Sequence, residues 1–103
     1  MTEYDRLVRD RIPEIIAANG HCCEVRRLEP GERLGRLTAK LAEECDEFGQ
    51  SGQVEELADV AEVLRALVAE LEVTWERFEE IGAAKRDERG GFDEGILLVR
   101  ASG

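Results

Sequence analysis

A chain of 103 residues has room for one small domain with a modest core, so residues 1–103 read as a single domain. Its net charge of -10 argues against a nucleic-acid polymer as partner, which requires a basic face, but leaves phosphates reachable through a bound cation. No apolar run approaches the roughly 20 residues of a membrane span, and the opening Met-Thr-Glu-Tyr-Asp-Arg has no basic and apolar leader, which predicts a cytoplasmic protein without membrane contact.

Tyr4 to Arg9 has no clear period and is predicted to run extended across the helices. Asp10 and Pro13 start a short helix through about Asn19, where Asn19-Gly20 supplies a left-handed stop. His21 to Leu28, rich in Cys, Val and Leu and closed by Glu29-Pro30-Gly31, reads as a strand. Its partner would be the apolar run Ile96 to Val99, since an isolated strand cannot satisfy its backbone. Cys22 and Cys23 are adjacent, Cys45 stands alone, and there is no CxxC pair and one histidine, His21; the pattern points to reduced thiols and away from zinc.

The first long helix is predicted over Glu32 to Phe48, with Gly49 as its stop. Gly49 to Gln53 is a tight connection between antiparallel helices. The second helix runs from about Gln53 to Leu71, with Ser51 as its candidate cap and Glu55 and Glu56 in its positive first turn. Leu57, Val60, Ala61, Val63, Leu64, Leu67, Val68 and Leu71 cover close to half of its circumference, more than one partner helix hides. Packing on two sides follows, by a third helix and by a second copy of the chain. That third helix is capped by Thr74 and runs from Trp75 to about Glu88, with Trp75, Phe78 and Ile81 facing inward. The expected fold class is mainly α: an antiparallel helical hairpin plus a third helix, a small two-stranded β appendage, and a four-helix bundle completed by dimerisation.

The chemistry concentrates on the hairpin. Leu37, Leu41, Glu44 and Phe48 follow 4, 3, 4 spacing, so Glu44 lies on the stripe its helix buries. Glu56, Val60, Val63 and Leu67 repeat the arrangement, and Glu47 and Asp59 flank the two stripes. In a chain with 24 acidic residues, paired acids at helical spacing also arise by chance. Placement on apolar stripes, twice, separates these from a solvated charge run, because carboxylates half-buried together repel and call for a cation. Magnesium suits such a set, taking oxygen ligands while keeping waters that substrate phosphates replace; manganese is a substitute.

The chain carries twelve arginines and two lysines. Lys40 stands one turn before Glu44, and Lys85 four residues before Arg89-Gly90-Gly91. Read blandly, the lysines are solvated helix residues and the glycines end a helix. Read functionally, Lys40, Lys85, Arg89 and the open backbone of Gly90 and Gly91 contact phosphates. His21 reads as a strand residue, Cys45 as a core thiol, and Phe48, Trp75 and Phe78 as core.

Three segments in this order resemble a known family, the all-α nucleoside triphosphate pyrophosphohydrolases called MazG-like, which include phosphoribosyl-ATP pyrophosphohydrolase. Its EExxE followed by ExxD is matched by Glu43-Glu44-Cys45-Asp46-Glu47 and Glu56-Leu57-Ala58-Asp59. A small-protein branch also opens as Tyr4 to Ile16 does, and closes its helices as Lys85 to Phe92 does. The resemblance implies magnesium at Glu44, Glu47, Glu56 and Asp59, a supporting role for Glu43, and phosphate contacts at Lys85 and Arg89. It implies an enzyme that cleaves a nucleoside triphosphate or related nucleotide to the monophosphate and pyrophosphate. The nine-residue step from Glu47 to Glu56 is at the compact end for the family and leaves the base unspecified. Alternatives are phosphoribosyl-ATP as substrate, or a noncatalytic nucleotide-binding or dimerisation module on the same scaffold.

Overall fold

The computed structural model describes residues 4–103; Met1 to Glu3, part of the stretch read for a leader, lie outside them. Helix α1 spans Ile12–Ala18, with Pro13 in the first turn, where its missing N–H has no intrahelical partner to lose. Asp10 does not cap it; the N-cap position is Arg11, with no side-chain bond. The stop is Gly20, at φ 81°. Gly20 N–H donates to Ala17 O and His21 N–H to Ile16 O, the two reversed bonds that close a helix through a left-handed residue.

That stop accounts for the first departure from the sequence reading. His21 belongs to the helix terminus, and the segment after it runs without regular structure until a 3₁₀ turn at Pro30–Glu32. Arg26 donates through both terminal nitrogens to Glu32, each at 2.9 Å, and Glu32 also accepts from Glu29 N–H at 2.8 Å. Among the described residues no strand is formed, so the expected two-stranded appendage is absent from the single chain. Val25 and Ile96 to Val99 are exposed. An apolar run becomes a strand by lying on a core, and here no core is offered.

Helices α2 (Arg33–Ser51) and α3 (Val54–Glu70) form the hairpin that organises the chain. Their facing stripes bury Leu37 from α2 and Val63 and Val68 from α3. Gly49 lies inside α2 and does not end it; the stop is Gly52, left-handed at φ 65°, whose N–H donates to Phe48 O at 2.8 Å. Ser51 is not the cap of α3, which starts from Gln53 without a side-chain bond, though Ser51 Oγ accepts from Gln53 N–H at 3.2 Å.

Helix α4 spans Trp75–Arg89 and is capped as predicted, Thr74 Oγ1 accepting from Arg77 N–H at 3.1 Å. It does not fold back. Among the described residues α4 touches α3 and no other helix, and Phe78 and Ile81, read as inward, are exposed. Trp75 is half-buried, with Phe78 at 4.9 Å and the Arg65 guanidinium 4.3 Å above its ring. The molecule is accordingly long, 59 × 31 × 25 Å with a radius of gyration of 18.2 Å, against about 13 Å for a compact chain of this length. No helix among the described residues is long and apolar enough to cross a membrane.

Candidate metal centre

Glu44 holds the middle of the hairpin interface. Its position on the apolar stripe of α2 turns it toward α3, and it is 6% exposed, as buried as the leucine and valines around it. Lys40 Nζ approaches Glu44 Oε1 at 3.2 Å from one turn earlier on the same helix. Oε2 of Glu44 is buried with no donor. A buried carboxylate oxygen without a partner is costly, and a shared proton or a cation would satisfy it.

The neighbouring acids supply the means for either. Glu44, Glu56 and Asp59 bring carboxylate oxygens within 4.8 Å of one another, and Glu43, Glu44 and Glu47 do the same. Glu44 belongs to both groups and joins them across the hairpin. Opposite oxygens around one magnesium ion stand about 4.2 Å apart, so small side-chain adjustments would bring either group to coordination distance. A hydrogen bond to Glu44 pushes the Glu47 carboxyl above its ordinary range, reinforced by the charge of Glu44, by desolvation and by the charges of Glu56 and Glu43.

Three cations already lean on the cluster. Lys40 Nζ lies 3.3 Å from Glu43 Oε1 as well, and Arg6 reaches that same oxygen at 2.5 Å. Arg9 Nη2 lies 2.6 Å from Asp59 Oδ1. Lys40 is mostly buried and its charge is directed at acids, so it is not the solvated helix residue of the bland reading. Arg6 and Arg9 were not legible as site residues, because they lie in a segment without period. The available signals were the prediction that Tyr4 to Arg9 crosses the helices and the resemblance that covers Tyr4 to Ile16; a further pair, Arg36 with Asp5 at 3.1 Å, lies along the same segment.

Lys85, Arg89, Gly90 and Gly91 are exposed at the far end of α4 and are not brought to the acids within one chain. Gly90, at φ 82°, terminates α4 by donating to Arg86 O at 2.7 Å, in keeping with the bland reading of the glycine pair. Cys45 is exposed, as are Cys22 and Cys23, and all three are free thiols; Cys45 is not a core residue. Comparison of the chain with protein-family models, curated proteins and solved structures finds no match.

Proposed function

We propose that the chain is a magnesium-dependent nucleotide pyrophosphohydrolase, converting a nucleoside triphosphate or a related nucleotide to its monophosphate and pyrophosphate. The observation that carries this reading is Glu44: a carboxylate with an unpartnered buried oxygen, shared by two groups of converging acids. The resemblance of Glu43 to Asp59, Tyr4 to Ile16 and Lys85 to Phe92 to the MazG-like family supplies the reaction class.

In this reading Glu44, Glu47, Glu56 and Asp59 hold the ion. Magnesium, when bound, neutralises the phosphate chain and lowers the pKa of water toward neutrality. The chain's own contributions are orientation and proton handling. Glu43 Oε1 is occupied by Lys40 and Arg6, so Glu43 is a positioning residue that fixes the two cations beside Glu44. A carboxylate of the cluster takes the proton from the attacking water, and no covalent nucleophile is needed.

The phosphate contacts assigned to Lys85, Arg89, Gly90 and Gly91 call for a second copy, since α4 lies away from its own chain's acids. Leu57 and Leu71 of the wide α3 stripe are exposed, as are Phe78 and Ile81 of α4. A homodimer that covers them would complete a four-helix bundle and carry one chain's α4 to the other's acids.

The test is a pyrophosphate-release screen over ordinary, deoxy, damaged and phosphoribosyl nucleotides with magnesium and manganese. Glu56→Ala and Asp59→Ala are expected to lower turnover on the order of 10² or more with helical circular dichroism unchanged. An undiminished rate in either rules out the site. Release from phosphoribosyl-ATP alone would place the protein in histidine biosynthesis, and binding without release would make it a noncatalytic module.

A further inference from the structure

We propose that Arg9 is a polyphosphate-binding residue held in reserve on Asp59, and that occupation of the Glu44, Glu56 and Asp59 group by a divalent cation releases it to the substrate. The proposal rests on the metal-dependent reading above and adds a residue to it. Arg9 and Asp59 are 50 positions apart in sequence, yet their side chains meet at 2.6 Å. Asp59 Oδ1 therefore already has a cation, and Asp59 is one of the three acids whose oxygens converge within 4.8 Å.

Two cations cannot share that carboxylate at no cost. A divalent ion is compact and draws on several carboxylates together, whereas the guanidinium holds Asp59 in a pair whose side chains are 55% and 39% exposed. Exposed pairs of this kind are weak and exchange readily. An ion that takes Oδ1 therefore displaces the arginine from Asp59.

Arg9 then stays near the cluster. It lies two residues after the half-buried Leu7 and three after Arg6, whose own partner is Glu43, the neighbour of Glu44. Once freed, the guanidinium stays beside the cation, where the phosphate chain is to bind. Its planar fork of donors matches phosphate oxygens. Substrate thus takes the place of Asp59 as the partner of Arg9, so the phosphate grip forms after the ion has bound.

The experiment measures manganese affinity by electron paramagnetic resonance without nucleotide, and inorganic tripolyphosphate affinity by calorimetry with manganese in excess, for wild type, Arg9→Gln, Arg9→Lys and Arg33→Gln. Arg33 pairs with Glu70 and lies roughly 16 Å along α2 from Glu44, so it controls for loss of one positive charge. Arg9→Gln is expected to bind manganese about three- to fivefold more tightly than wild type. It is expected to bind tripolyphosphate about tenfold or more weakly. Arg9→Lys should fall between wild type and Arg9→Gln in both, and Arg33→Gln should stay within about twofold of wild type. Unchanged or weakened manganese binding in Arg9→Gln, or unchanged tripolyphosphate binding, overturns the proposal while leaving the metal centre standing. Wild type that binds no manganese overturns both.

Discussion

Glu44 lies where α2 presents Leu37 and Leu41, and a leucine would serve the hairpin better than a carboxylate with an orphaned oxygen. Replacing a buried ion pair by apolar groups of similar size is often stabilising by about 1–4 kcal/mol, and the cost of removing only one partner is the charge left behind; here Lys40 would keep Glu43 as its partner. Glu44→Leu is accordingly expected to raise stability to urea in chelator by about 1–2 kcal/mol. It should also erase any rise in melting temperature that magnesium gives the wild type. A fall in stability would mean that Glu44 is already satisfied, and the argument for a cation would go with it. The burial of Glu44 was legible in the 4, 3, 4 spacing of its stripe. Arg6 and Arg9 were not, because an aperiodic segment gives no face and its landing site depends on tertiary geometry. Glu32 tests electrostatics away from the cluster. Its hydrogen bonds from Arg26 and from Glu29 N–H hold its carboxyl down to about 2 from 4.5. A depressed acid adds stability above its unfolded pKa and loses it as pH falls through the folded one. The difference in melting temperature between wild type and Arg26→Gln should therefore be constant above about pH 5 and shrink steadily as pH falls toward about 2.

At the scale of the element, what sequence could not place was the choice among stops. Gly49 and Gly52 both qualify as helix terminators, and composition does not rank them. The chain uses the one that leaves Phe48 O within reach of the N–H of a left-handed residue. The end of α3 also uses a left-handed residue, without glycine and with the paired bonds seen at the end of α1: Glu72 N–H donates to Ala69 O and Val73 N–H to Val68 O, with Glu72 at φ 61°. That conformation costs a residue with a side chain about 1–2 kcal/mol, while glycine adds about 0.5–1 kcal/mol of unfolded-state entropy to be lost. The first effect is the larger. Glu72→Gly should stabilise by about 0.5–1 kcal/mol and Gly52→Ala should destabilise by a similar amount, as read by urea midpoints. Thr74 was legible because a capping side chain followed by a helical run is a local signal. The strands at 21–28 and 96–99 were misread because β-branched, apolar composition reports fitness for a sheet and not whether one is there.

The whole molecule exposes more than a folded chain of its size should. Its accessible surface is 9243 Å², where a compact monomer of this mass has about 5,800 Å². The excess, roughly 3,400 Å², exceeds the per-chain share of a typical obligate homodimer. Helix α4 shows the consequence most clearly. Its fifteen residues make a helix of marginal stability by itself, and its Phe78 and Ile81 face solvent. We therefore expect light scattering to give twice the mass of the chain. The melting temperature should rise with protein concentration, because association stabilises by mass action. Phe78→Asp combined with Ile81→Asp should yield a monomer that has also lost helical circular dichroism, α4 unwinding once nothing covers it. A wild type that is monomeric and fully helical would show that α4 stands alone, and would take away the second chain from which Lys85 and Arg89 are to reach the acids.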